Sequence, residues 1–241
     1  MADTMDLLKE VEKEKKIIEK DEKIIRKNRK VIVILVVFLV LVLGLVGVII
    51  NNYSYRMTKY TFLNRLGAEN YYIKHIFDAN KKYLSEKVKY GFLLLWAMID
   101  SESLGNANMR SKNRNGTTDY GLMGINSCNI DNVKHALRHE FDRSMQSVSI
   151  YEPKLNIYAG ALLLREKIYY FEIDGWADKD ALFNAIECYN MGFGNWRKGY
   201  DNSKYLDKVM IRYVEYCIMW EEYKKPINII KRIFVKSEYG N

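Results

Sequence analysis

Apolar positions along the chain follow three patterns. The first is an unbroken apolar run over residues 31–50, with Gly44 and Gly47 as its small interruptions. A run of roughly 20 residues matches the hydrocarbon core of a bilayer, and a buried helix of a soluble protein that long would show a polar face. A cleaved signal peptide would have a shorter apolar core and a small-residue cleavage site. Here Asn51-Asn52-Tyr53-Ser54-Tyr55 follows instead, so a retained transmembrane signal anchor is expected over 31–50. Lys23, Arg26, Lys27, Arg29 and Lys30 precede the span, against Arg56 and Lys59 beyond it. The positive-inside rule then puts the N-terminus in the cytoplasm and the rest of the chain outside.

The second pattern lies in residues 1–30. Leu7/Leu8, Val11, Ile17/Ile18 and Ile24/Ile25 recur near heptad spacing among mixed Lys and Glu. This predicts a charged cytoplasmic helical segment, with a short coiled coil as the alternative to a solvated helix.

The third pattern is helical periodicity in the exported part. Residues 51–89 are polar and aromatic and predict a helical linker that packs on the following body. A helix over 90–103 carries Phe92-Leu93-Leu94-Leu95-Trp96 and ends near Glu102. Asn115-Gly116 is a turn signal that predicts a small β-hairpin. Pro153 near a first turn starts a helix carrying Leu155, Tyr158, Ala159, Leu162 and Leu163. Asp178 is placed to cap a helix with Ala181, Leu182, Ala185, Ile186 and Tyr189 on one face. Tyr205, Val209, Tyr213 and Cys217 align on another, which Pro226 is expected to end. The body is therefore a mainly α domain over 90–225 with one hairpin, followed by a basic apolar tail over 226–241 that docks on its own domain.

Composition adds two constraints. A formal net charge of +8 suits an anionic neighbour such as nucleic acid, lipid headgroups or a wall polymer, besides plain solubility. Cys128, Cys188 and Cys217 are odd in number, so free thiols are the default expectation, with one disulfide as the alternative. His135 and His139 can share a helix face, but no Glu follows His135 as a zinc-protease motif requires, so no metal or cofactor is expected.

Glu102 is the candidate for chemistry. A carboxyl at the end of a buried helix loses solvation, and its pKa rises towards the range a general acid needs.

The ordered motifs then identify a resemblance. Glu102-Ser103 with Asn106, Gly121-Leu122-Met123-Gly124-Ile125-Asn126, Glu152-Pro153 with Asn156, Ile157 and Gly160, and Ala185 through Gly192 resemble the motifs of soluble-type lytic transglycosylases in the lysozyme-like superfamily. Tyr205 with Val209 fits the helix that follows. The resemblance covers roughly residues 91–213. The run Asn113 to Gly121 is similar to the branch associated with secretion and conjugation machines. Departures are Gly124 for the usual Gln, Gly105 and Ala107 beside Asn106, Glu152 for Asp, and Glu187-Cys188 for two small residues.

The resemblance implies a lysozyme-like helical fold and cleavage of the β-1,4 bond between N-acetylmuramic acid and N-acetylglucosamine in peptidoglycan. Glu102 is implied as the acid and then as the base on the muramoyl C6 hydroxyl, closing a 1,6-anhydro ring. Hydrolytic glycosidases use a second carboxylate. An amide at Asn126, where goose-type lysozymes carry Asp, favours the lytic route. Ser111, Met123, Asn126, Tyr189 and Asn190 are implied to bind substrate, with Met123 on the cleft floor, Tyr189 bonded near Glu102 and Asn190 bracing its helix. Asp119 is the nearest spare acid and is expected to hold the hairpin through backbone hydrogen bonds. The implied partners are glycan strands, the membrane, and a secretion or motility assembly, with no nucleic acid. A hydrolytic muramidase and a catalytically weak wall-binding scaffold remain as alternatives.

Overall fold

The computed structural model describes residues 37–49, 53–141 and 147–225. The expected cytoplasmic segment, the first residues of the span, Pro226 and the basic tail lie outside the described residues. The chain divides into two compact units, Met1–Met57 and Thr58–Asn241.

Helix α1 (Val37–Arg65) is long and apolar enough to cross a membrane, with mean hydropathy 2.1 in its most apolar stretch. Residues 37–49 all leave their side chains exposed, including Phe38, Leu41 and Leu45. This exposed stretch, apolar on all faces, is suited to lipid rather than water.

The second unit is mainly helical. Helices α2 (Asn70–Ala79), α3 (Gly91–Ser103), α4 (Ile130–Ala136), α5 (Pro153–Ile173), α6 (Asp178–Met191), α7 (Phe193–Arg197) and α8 (Ser203–Tyr223) surround one small sheet, and a π-helical turn (Asn80–Leu84) extends α2. The most extensive helix contacts are α5 on α6, α3 on α8, and α2 on α5. Phe62, Leu63, Ile73, Ile76 and Leu84 belong to the same buried cluster as the helices after them, so residues 58–89 contribute to the core of this unit.

Helix α3 is its axis. Every residue from Gly91 to Ile99 is buried, which is why its sequence has apolar residues on all faces. Phe92 meets Trp220 edge-on with centroids 5.8 Å apart, and Phe62 lies 5.3 Å from Trp220 and 5.0 Å from Tyr223. Aromatic contacts of this geometry add to the area they bury; that of Phe92 ties α3 to α8. Asp178 is the first residue of α6 rather than its cap, which is Ala177. There it still complements the positive end of the helix.

The expected hairpin forms two strands of a three-stranded antiparallel sheet. Strands β1 (Arg110–Lys112) and β2 (Thr118–Tyr120) pair around the Asn113–Thr117 turn, and β3 (Ile125–Asn126) adds to β2 with Asp119 opposite Asn126. A two-residue strand carries too little pattern to be read from sequence.

The loop between β2 and β3 enters the core, with Leu122 and Met123 fully buried. Its backbone groups need partners there, and three helices supply them. Ser103 Oγ of α3 donates to Leu122 O at 2.9 Å. Asn156 Oδ1 of α5 accepts from Met123 N at 2.6 Å, and its Nδ2 donates to Tyr120 O and Ile150 O. Tyr189 of α6 donates to Met123 O at 2.7 Å. Gly121 adopts φ +74°, and a Cβ there would sit 2.3 Å from Asn156 Nδ2, so only glycine fits.

Asn156→Ala removes three bonds at once and leaves their backbone partners buried. It should lower unfolding free energy by about 3 kcal/mol, read by urea denaturation of the detergent-solubilised chain. A loss below about 1 kcal/mol would show that other groups hold the loop.

Candidate active site

One pocket collects the unusual chemistry of the domain. Glu102, Asp119, Gly124, Ile125, Asn126, Asn129, Leu163, Tyr189 and Asn190 line it, around about 350 Å³ of space that opens to solvent. Three walls meet here: the end of α3, the sheet with its glycine loop, and α6.

Glu102 lies one residue before the end of α3, where the unpaired helix carbonyls gather negative potential. Its pKa is raised from the usual carboxylate range to about 7. Burial is the main cause, a hydrogen bond from Tyr205 opposes it, the charge of Asp119 adds to it, and Lys208 opposes it. At neutral pH a carboxyl in this range holds a proton about half the time, as a general acid requires.

Helix α8 fixes this end of α3. Tyr205 donates to Glu102 Oε1 at 2.5 Å, and Lys208 Nζ donates to Ser101 O, satisfying an orphan carbonyl. Arg212 Nε pairs with Asp100 Oδ2 at 2.6 Å, and Tyr216 donates to the same oxygen at 3.0 Å. Residues 205, 208, 212 and 216 stand three or four apart, so they form one stripe on α8 facing the last turn of α3.

Gly124 gives the carboxyl its place. It adopts φ +59°, and a Cβ would fall 2.7 Å from Glu102 Oε2. Without a side chain at this departure from the usual Gln, Glu102 lies against the loop backbone.

The other expected site residues divide. Tyr189 and Asn190 line the pocket. Tyr189 bonds the Met123 carbonyl rather than Glu102, whose tyrosine partner is Tyr205. Burial chiefly, then the charges of Glu102 and Asp119, push the Tyr189 hydroxyl well above its ordinary pKa, so it stays a donor. Asn190 Oδ1 accepts from Asn202 Nδ2 at 3.2 Å, tying α6 to the segment before α8. Asn126 lines the pocket, but its Nδ2 donates to Asp119 Oδ1 at 2.7 Å and to Thr117 Oγ1, while its Oδ1 accepts from Cys128 N. Met123 is not on the floor of the pocket. It is fully buried, packed on Gly160. Ser111 is exposed on β1, opposite Asp119, and does not line the pocket.

Asp119 differs most from expectation. Its carboxylate accepts from side-chain amides, Asn126 at 2.7 Å and Asn113 at 2.9 Å, and it lines the pocket. Tyr205, Lys208, Asn129 and Leu163 were not legible as site residues. Tyr205 reads as part of an apolar face, and only the α3–α8 crossing aims its hydroxyl at Glu102. The three cysteines are free, with Cys188 buried and Cys128 exposed.

A model of the transglycosylase SLT domain matches residues 79–211. Among solved structures, the 70 kDa soluble lytic transglycosylase of Escherichia coli is similar at 21% identity and TM-score 0.36. That similarity covers 58% of this chain and 20% of the Escherichia coli enzyme, so the chain spans about one-fifth of that enzyme's length. Comparison with curated protein sequences returned no relative.

Tyr205→Phe removes the bond that lowers the Glu102 pKa, so the pKa should rise further above about 7. Carbon-13 NMR titration of labelled glutamate carboxyls reads this directly. An unchanged or lowered midpoint would mean that the hydroxyl does not hold the carboxylate.

Proposed function

The chain belongs to the transglycosylase SLT domain family, and we propose that it is a peptidoglycan lytic transglycosylase held at the membrane by α1. The observation that carries this reading is Glu102, poised near neutrality in a pocket that also holds the uncharged polar side chains of Asn126, Asn129, Tyr189 and Asn190 and one further acid.

The substrate is a glycan strand with its muramoyl–glucosaminyl β-1,4 bond beside Glu102. Protonated Glu102 gives its proton to the glycosidic oxygen, and that C–O bond breaks. Positive charge develops on the anomeric carbon and ring oxygen. Glu102, now a carboxylate, takes the proton of the muramoyl C6 hydroxyl, whose oxygen closes on the anomeric carbon. The product is a 1,6-anhydromuramoyl end, and Glu102 is protonated again. Tyr205 follows the carboxyl through both states as a positioning residue, since its hydroxyl meets Glu102 Oε1. Tyr189 fixes the loop that carries Gly124, and Asn190 offers its remaining polar capacity to the sugar. Ser111, exposed beside the pocket on β1, meets the glycan further along the strand.

The length and apolar surface of α1 support a single-pass anchor. The basic residues before it support a cytoplasmic N-terminus and a catalytic unit on the wall side of the inner membrane. The run Asn113 to Gly121 supports a role in opening the wall locally for an envelope-spanning secretion or conjugation assembly.

Glu102→Gln should keep the fold and reduce release of anhydromuropeptides by about 10²–10⁴-fold, measured by mass spectrometry of digested sacculi. Retained release would end this assignment. The wild-type rate should fall as pH rises through about 7, because the acid loses its proton there. The same shift has a cost in stability. The folded pKa lies above the unfolded one, so the folded state binds the proton more tightly. Its stabilising contribution is complete below about 4.5 and is lost as pH rises through about 7. The amount is about 3 kcal/mol. Glu102→Gln should therefore raise the melting temperature at pH 8 and change it little at pH 4.

A further inference from the structure

Helix α8 has a second face besides the stripe that holds the end of α3. Ile211, Val214 and Ile218 stand three and four apart on it, with Met219 beside them. These four side chains are 48–59% exposed. Single exposed apolar residues are ordinary, but a contiguous row marks a contact surface. The row has a direction. Exposed positions in the first turns of the helix are charged, Lys204 and Asp207. The aliphatic ones occupy the half that packs Trp220 and Tyr223 on Phe62. Phe62 follows closely on the apolar span, since the chain from Ile50 to Phe62 can stretch over no more than about 40 Å. Cations gather at the same end: Lys89 lies over the Tyr90 ring, Lys224 donates to the Tyr90 hydroxyl, and Lys225 is exposed. Aliphatic side chains edged by lysines suit the boundary between lipid headgroups and acyl chains, where lysine stems lie on apolar surface and their ammonium groups stay wet. Glu215 and Glu222 are exposed on the same side, so the contact is shallow and leaves both carboxylates in the headgroup water.

We propose that this outer face of α8 rests on the surface of the membrane that α1 crosses. The inference rests on the anchor reading above. Four aliphatic side chains are too few to hold two free proteins together, and they offer no hydrogen-bonding group to a glycan. A tethered surface needs far less contact, because the chain keeps it at high effective concentration beside the bilayer. Docked there, α8 touches lipid on one side and fastens the Glu102 turn on another. The pocket is thereby held near the bilayer and acts on the glycan closest to the membrane.

The full chain should be placed in phosphatidylcholine–phosphatidylglycerol nanodiscs, one chain per disc, with a phosphatidylcholine that carries a diazirine on its acyl chain close to the glycerol. After illumination, mass spectrometry of the digest maps the labelled residues. Label is expected in the apolar span and again on α8 between Ile211 and Met219. Ile218→Asp, at an exposed position that leaves the core intact, should lower the α8 label at least about fivefold and leave the span label unchanged. A labelled span with an unlabelled α8 would overturn the proposal, whether water or the chain after Lys225 covers that face. An α8 label that Ile218→Asp does not change overturns it as well. Loss of the α8 label in discs that hold two chains would assign the face to a second copy instead. An unlabelled span refutes the anchor reading itself and this inference with it.

Discussion

The last turn of α3 is held by a polar stripe on α8, and the chemistry of the domain depends on that grip. Arg212 and Tyr216 fasten Asp100, Lys208 fastens the Ser101 carbonyl, and Tyr205 meets Glu102. Three consecutive residues at a helix end are thereby fixed from one direction. A helix end ordinarily frays, because its last carbonyls have no partners within the helix. Here it is the place where a carboxyl must stand still. The aromatic contact of Phe92 with Trp220 locks the same two helices further along.

The opposite side of Glu102 is made by a buried loop rather than a helix. Buried loops need partners for their backbone, and this one takes them from Ser103, Asn156 and Tyr189. Those residues come from α3, α5 and α6, so the loop is cross-linked to each helix that shapes the pocket. Residues of the ordered motifs therefore do structural tasks. The Tyr189 hydroxyl and the Asn156 amide position glycine-bearing backbone, and the backbone in turn positions Glu102. Gly124 shows the same economy, because a side chain there would collide with the acid it adjoins.

Two carboxyls line the pocket in different surroundings. Glu102 is withdrawn from water at a helix end, and Asp119 is wrapped in amide donors on a strand. Each is intelligible only with the other present, since the charge of Asp119 helps Glu102 keep its proton.

The sequence by itself determined the elements whose signal is long and periodic: an apolar span, an axial helix apolar on all sides, the proline-started α5, and Glu102 at the end of α3. Such features depend on local spacing and on solvation, which the order of residues carries directly. It also supplied four ordered motifs that belong together. It did not disclose the third strand, since two residues hold no period, nor the partner of each polar side chain. Tyr205 and Glu102 are 103 positions apart, and their contact exists only because α3 and α8 cross. Asp119 read as a turn residue because its neighbours are turn residues. Only the closure of α3, the sheet and α6 around one pocket brought it into the same lining as Glu102.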